Sequence, residues 1–372
     1  MSKRRSRTRR VEKIFKLDSK IFYTIVFSLL IIIIMCCVVI FLMNKKEKEK
    51  VLADKERVNQ EQEKIFEATN EEMESLKEYK TDSMISFSAV GDILYNDNYN
   101  NMFTDIKKYL SDSDFVLGTY ETKVEDNFIK SLKSIGFNYL SLAHNHAMDN
   151  GEKGLLELDN KIRENQISTV GVYSDKSEDR VKIVEKKNVK IAFLAYTYDN
   201  NKKGVNIYSD EIVKEDLKYA KENADISIVM MHWGNVNTNE ITKEQERQAD
   251  YLIENGANVI IGAHPSCIQK MEIKKNTEGK DCFVAYSLGD FTSNFNNENA
   301  NLELILNFKM YVDKEKNVYL YKVDYTPVYL INNKILDMKN EIQKYDTEYS
   351  NIDKKTYDKL VRGIDRLRNI IK

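Results

Sequence analysis

The 372-residue chain contains four histidines, and all of them fall in three short motifs. His144 and His146 lie in Leu142-Ala143-His144-Asn145-His146-Ala147-Met148-Asp149, His232 in Met231-His232-Trp233-Gly234, and His264 in Gly262-Ala263-His264-Pro265. Two acidic motifs share their setting, Gly91-Asp92-Ile93 and Tyr120-Glu121-Thr122. Imidazole, carboxylate and amide oxygen together suit a hard or borderline divalent ion. Such an ion lowers the pKa of bound water and turns it into a nucleophile near neutral pH. Each motif alone is weak: a lone Gly-Asp is ordinarily a turn, a lone Glu solvated, a lone His-Pro structural. The ordered set Asp, Glu, Asn-His, His, His from Asp92 to His264 is far more specific.

Each motif directly follows an apolar run of strand length. Such runs cover 84–90, 115–120, 139–143, 169–172, 189–196, 226–232, 259–262 and 282–287. Helical patterns fill the gaps at 100–110, 126–135, 153–165, 210–222 and 241–255. Alternation of this kind predicts an α/β fold, and strand ends are where open α/β sheets build their sites. Two further strands, 302–311 and 318–329, flank Asp313-Lys314-Glu315-Lys316-Asn317 and read as a closing β-hairpin. Residues 331–372 are charged and read as a helical C-terminal appendage.

Ahead of this domain, residues 21–43 form an uncharged apolar run. As a helix it would be about 34 Å long at roughly 1.5 Å per residue, enough for a hydrocarbon core of about 30 Å. No small-residue cleavage site follows it, so it reads as a transmembrane helix rather than a removed signal. Residues 1–20 carry nine Lys/Arg against Glu12 and Asp18, a net charge of +7 within a chain of net −2. A short basic tail stays cytoplasmic, which predicts a single-pass protein with its large domain outside. The adjacent span accounts for the basic residues, so a membrane partner and no nucleic acid are expected. Residues 44–83 are rich in Glu, Lys and Gln without Gly or Pro and predict a helical stalk. Val51, Val58 and Ile65 stand seven apart, which leaves a solvated single helix and a short coiled coil both open. Cys267 and Cys282 are compatible with a disulfide or with two buried thiols.

The motif order resembles the calcineurin-like metallophosphoesterase superfamily. Residues 84–330 are more closely similar to the CapA-type poly-γ-glutamate capsule biosynthesis domain. The similarity rests on Gly91-Asp92-Ile93, Glu121-Thr122, Asn145-His146 with Asp149 and Gly151, His232-Trp233-Gly234, Gly262-Ala263-His264-Pro265 and Tyr286-Ser287-Leu288-Gly289. The resemblance implies a four-layered α-β-β-α sandwich with a metal centre at the strand ends. It implies that Asp92 binds one metal, that Glu121 bridges two, and that Asn145, His232 and His264 complete the second. His146 takes the general-acid or phosphate-orienting role, with Asp149 as the other candidate catalytic residue.

Two departures fall on the first metal. Leu94 stands where the superfamily often has a histidine, and Ser266 replaces the second histidine of the last motif. One well-held divalent ion (Mn, Zn, Fe or Mg) is therefore expected. His144 and Asp290 are candidate additional ligands. The resemblance implies a surface protein for synthesis or export of an anionic polymer, working with polymer synthase membrane subunits. The alternatives are a membrane-anchored phosphoesterase or other metal-dependent hydrolase of a phosphate-containing envelope substrate, and a surface scaffold without catalysis.

Overall fold

The computed structural model describes residues 19–60, 64–68, 83–173, 180–198, 204–292 and 301–371. The chain divides into two units, Met1–Gln60 and Glu61–Lys372. In the first, α1 (Ser19–Gln60) is one continuous helix. Its apolar half has a mean hydropathy of 3.5 over the most apolar window, long and apolar enough to cross a membrane. The basic tail, residues 1–18, lies outside the described residues.

The second unit is built from buried parallel strands. β2 (Met84–Ile93), β3 (Phe115–Tyr120), β4 (Tyr139–Ser141) and β5 (Ser168–Val170) run parallel. In the other sheet β7 (Val189–Thr197), β8 (Ile226–His232), β9 (Val259–Ala263) and β11 (Asp281–Ala285) do the same. Every residue of β3, β8 and β9 is buried, as expected for strands covered on both faces. β12 (Leu302–Val312) and β13 (Val318–Ile331) form the expected antiparallel hairpin, and β12 joins β2. The sheet orders are β1-β13-β12-β2-β3-β4-β5 and β10-β11-β9-β8-β7-β6, where β1 is Lys64–Glu67, β6 Lys182–Lys186 and β10 Met271–Lys275.

Aromatic rings join the two sheets. Phe193 of β7 stacks on Tyr139 of β4 at 4.2 Å and lies 5.2 Å from Phe115 of β3. Helices cover the outer faces. α2 (Asp126–Ile135) and α3 (Gly151–Glu164) pack on the first sheet's side. α4 (Asp210–Asn223) and α5 (Lys243–Glu254) bury Val213, Leu217, Ala249 and Leu252 against Leu194, Val229 and Ile260 of the second. The result is the α-β-β-α sandwich that the motif order implied.

Four expectations are corrected. Segment 100–110 is not an α-helix but two 3₁₀ turns, Tyr99–Asn101 and Lys107–Tyr109. The Thr104 hydroxyl donates to the Asn101 carbonyl there, a local bond that competes with helix propagation. The stalk is not helical throughout. The helix ends at Gln60, and β1 adds antiparallel to the edge of β13, with Lys64 opposite Asp324 and Glu67 opposite Lys322. An open edge offers unpaired backbone groups to any nearby extended segment. Residues 69–82 of the stalk lie outside the described residues.

Residue 330 is not a boundary, because β14 (Lys334–Asp337) pairs with β13. Asn332 and Asn333 turn the chain with φ of 50° and 59°, the left-handed geometry a two-residue hairpin requires. Nor is the C-terminal segment a free appendage. After α6 (Met338–Lys344), α7 (Lys354–Ile371) buries Tyr357, Leu360, Ile364 and Leu367, a helical spacing hidden among charges. Lastly, Cys267 and Cys282 are both buried, free thiols, and burial pushes Cys282 up to about 12.

Trp233, just past β8, donates its indole N–H to the Tyr286 carbonyl at 2.8 Å in the buried interior. Trp233→Phe keeps most of the apolar contact but leaves that carbonyl unpaired. A loss of about 1–3 kcal/mol is expected, measured as a lower denaturant midpoint. An unchanged midpoint would show that the bond adds nothing.

Candidate metal centre

Asp92 is placed by a crossing of backbones. Its N–H donates to the Gly289 carbonyl at 2.9 Å, and its own carbonyl accepts from Phe291 N–H at 2.7 Å. Gly91 makes the crossing feasible, since a Cβ there would lie 1.8 Å from the Gly289 oxygen. Asp92 Oδ2 accepts the His264 backbone N–H at 2.8 Å. Glu121 follows β3, with its N–H bonded to the Ile93 carbonyl at 3.0 Å. His232 ends β8, opposite Thr197 on one side and Ala263 on the other.

These three side chains meet. His232 Nε2 lies 3.6 Å from Asp92 Oδ1 and 3.6 Å from Glu121 Oε2, too far for hydrogen bonds. Asp92 Oδ1 and both ring nitrogens of His232 are buried with no hydrogen-bond partner. Buried polar atoms rarely stay unpaired. Ligands about 2.1 Å from a shared ion would stand roughly 3–3.6 Å apart. Asp92, Glu121 and His232 thus have the chemistry and spacing to hold one divalent ion, and they form the one such group among the described residues.

Electrostatics agrees. Burial raises the Asp92 pKa, and the Glu121 charge adds to it. Burial also acts on Glu121, but His232, His144 and His146 outweigh it and lower its pKa. Burial opposes a charge on His232, yet the carboxylates of Asp92 and Glu121 overcome it and raise its pKa to about 9. Without an ion, the imidazolium fills the electrostatic need. An incoming cation must displace that proton, so apparent metal affinity should rise with pH up to about 9. Calorimetry near neutral pH in buffers of different ionisation enthalpy should detect about one proton released per ion. No release would mean that His232 is already neutral.

The remaining candidates surround this group. Asn145 Oδ1 is buried and unpaired. His144 is buried with both ring nitrogens unpaired, Nδ1 lying 4.0 Å from Glu121 Oε1, and burial lowers its pKa to about 3. His146 is exposed. Its Nδ1 meets Asp149 Oδ2 at 2.8 Å, and its Nε2 stands 4.0 Å from Glu121 Oε1. With Nδ1–H donating to Asp149, Nε2 is directed to the cluster, where it can move a proton.

His264 is placed differently from the ligand group. Its ring centroid lies 4.7 Å from that of His232, but its Nε2 pairs with Tyr198 Oη at 2.5 Å. Its φ of 98° is in the left-handed region, a strained conformation held by the Asp92 bond to its N–H. Asp290 is buried with Oδ2 unpaired. Burial and then the Asp92 and Glu121 charges push its pKa up to about 8.

Two further residues, Tyr198 and Glu303, lie outside the sequence motifs. Tyr198 follows β7, where its one signal was an aromatic residue at the end of an apolar run. Glu303 of β12 is buried with both carboxylate oxygens unpaired, and a Cβ on Gly289 would lie 2.8 Å from its Oε2. Its signal was the one acidic residue inside the largely apolar run Leu302–Val312.

Carboxylates and imidazoles gathered at strand ends of a two-sheet α/β sandwich define a metallophosphoesterase-like domain. The chain belongs to the bacterial capsule synthesis protein family PGA_cap, whose profile matches residues 82–295. It is 28% identical to the PGA biosynthesis protein CapA of Bacillus subtilis strain 168, over 57% of this chain and 64% of that relative. It is 25% identical to the capsule biosynthesis protein CapA of Bacillus anthracis, over 57% of this chain and 61% of that one. The matches thus span less than two thirds of these relatives' own length. Among solved structures, a phosphatase of Mycoplasma pneumoniae is similar at 16% identity and a TM-score of 0.47, covering 66% of this chain and 94% of that one. A hypothetical protein of Thermus thermophilus is similar at 14% identity and a TM-score of 0.47, covering 65% of this chain and 98% of that one.

Proposed function

We propose that this chain is a membrane-anchored capsule-synthesis protein that processes an anionic cell-surface polymer, of which poly-γ-glutamate is the first choice, at a one-ion centre. The observation that carries the centre is the convergence of buried, unpaired atoms of Asp92 and His232 on one point beside Glu121. The membrane assignment rests on α1 and the basic residues before it, which by the positive-inside rule leave the second unit outside the cell. The substrate class rests on the family and on the CapA relatives.

Asp92, Glu121 and His232 would hold the ion, with Asn145, whose Oδ1 is buried and unpaired, as the amide candidate. When bound, the ion supplies Lewis acidity toward a carbonyl or phosphoryl oxygen. The chain's own groups do the rest. Asp149 orients His146 so that Nε2 can deliver or accept a proton at the exposed side of the centre. Tyr198 fixes the His264 ring. Polymer synthase membrane subunits are the expected partners.

The test is chemical and genetic. The purified full chain in nanodiscs should carry about one divalent ion and cleave or transfer either a γ-glutamyl or a phosphodiester substrate. A His146→Ala strain should make less surface polymer, with the protein still present and metal-loaded. Metal-free protein, together with normal polymer in a His232→Ala strain, would sink the reading.

A further inference from the structure

β8 ends at His232, and the strands on its two sides lead into one ring each. Thr197 of β7 and Ala263 of β9 stand opposite His232 on either flank. Tyr198 and His264 are the next residues, so they leave strands about 9.5 Å apart, two steps across a sheet. A phenol and an imidazole that turn toward each other can close such a gap. Tyr198 Oη and His264 Nε2 lie 2.5 Å apart, and the ring centroids stand at 5.1 Å. The pair thus spans from β7 to β9 past the end of β8.

This bond decides what His264 can do. Its ring is next to His232, 4.7 Å between centroids, and its backbone N–H is bound to Asp92 Oδ2. By position it is the obvious fourth ligand. Yet no nitrogen of its ring joins the group in which atoms of Asp92, Glu121 and His232 lie within 4.8 Å of one another. Nε2 is committed wherever the proton lies. If it carries the proton and donates to Tyr198, it has no lone pair to give. If it accepts the phenol proton, its lone pair is already used. Tyr198 is 47% exposed, so burial does not force its hydroxyl onto the imidazole.

Resting on the ion centre proposed above, we propose that Tyr198 is a positioning residue that withholds His264 from the ion. The Asp92, Glu121 and His232 set then keeps an open side, and an open position is what separates a catalytic metal site from a closed structural one. The motif order implied that His264 is a ligand. Its bond to Tyr198 makes it part of the wall of the site instead.

The full chain in nanodiscs should be titrated with Co²⁺, whose visible absorption reports the number and kind of its ligands. In the wild-type background, His264→Ala should leave the Co²⁺ Kd within about twofold and the spectrum unchanged. His264→Gly, which suits a φ of 98°, should do the same. Tyr198→Phe should tighten Co²⁺ binding by about tenfold or more and shift the spectrum, since partners of a metal site change affinity by about 10–100-fold. Adding His264→Ala to Tyr198→Phe should return both readings to the wild-type values. A tyrosine with a merely structural role would give no such reversal. A loss of more than about tenfold in both His264 variants would make His264 a ligand and overturn the proposal. So would a Tyr198→Phe protein that binds Co²⁺ no more tightly than wild type. In either case the ion centre would stand. Wild type that binds no Co²⁺ would remove the centre itself, and this role of Tyr198 with it.

Discussion

His232→Ala should abolish stable divalent-metal binding, lowering affinity by more than about 100-fold. Loss of even an outer partner of a ligand typically costs 10–100-fold, and His232 is the imidazole of the three-residue group. Its removal leaves Asp92 and Glu121 facing one another with no nitrogen ligand between them. The metal-free protein should also suffer. In the wild type, burial disfavours a charged His232, but its two acidic neighbours raise its pKa to about 9 and keep the proton at neutral pH. Removing one partner of a buried ion cluster costs about 3–5 kcal/mol when the remaining charges stay ionised. Two measurements separate these effects. Metal content by mass spectrometry should fall to background, and added Mn²⁺ or Zn²⁺ should no longer raise the melting temperature. For the wild type, an ion at about 100 times its Kd should add about 2.7 kcal/mol. Metal-dependent stabilisation that persists in His232→Ala would mean that the ion is held elsewhere.

Gly91→Ala should be the most damaging single-methyl change in the domain. The new Cβ would lie 1.8 Å from the Gly289 oxygen and 2.7 Å from its carbonyl carbon, both backbone atoms. No side-chain rotation relieves that overlap. The two strand ends must separate, which breaks the Asp92 N–H to Gly289 and Phe291 N–H to Asp92 bonds. A loss of about 4 kcal/mol or more is expected, in the far tail for single substitutions. At roughly 2–4 °C per kcal/mol for a domain of this size, the melting temperature should fall by at least about 8 °C. The surviving folded protein should bind metal poorly, because Asp92 moves with the strand. A fall under about 2 °C with metal binding intact would show that the crossing yields without cost.

Much of the frame was legible because buried parallel strands are continuous apolar runs. The runs at 115–120 and 226–232 coincide with β3 and β8, and 126–135 coincides with α2. Three edge strands, β1, β6 and β10, were not legible, whereas the edge strand β5 overlaps the apolar run at 169–172. β6 and β10 are short and rich in lysine and glutamate, and such composition reads as loop. β1 was unreadable for another reason. Lys64–Glu67 is strand because the edge of β13 is there to pair with it, a partner far away in the chain. The amphipathy of α7 was present in the spacing of Leu360, Ile364 and Leu367, but the charged majority masked it.

The sequence by itself determined which polar residues follow which strands, and so that Asp92, Glu121 and His232 would stand at strand ends. That is local information, carried by apolar runs and the residues that end them. Only the tertiary structure decided what each side chain faces. His264 is turned to Tyr198, His144 lies buried and unpaired, and Glu303 sits buried beneath Gly289. The physical reason is that a side chain's direction depends on how its strand crosses its neighbours. At this site the crossing joins Asp92 to Gly289 and Phe291, backbone that comes together only when both sheets have formed.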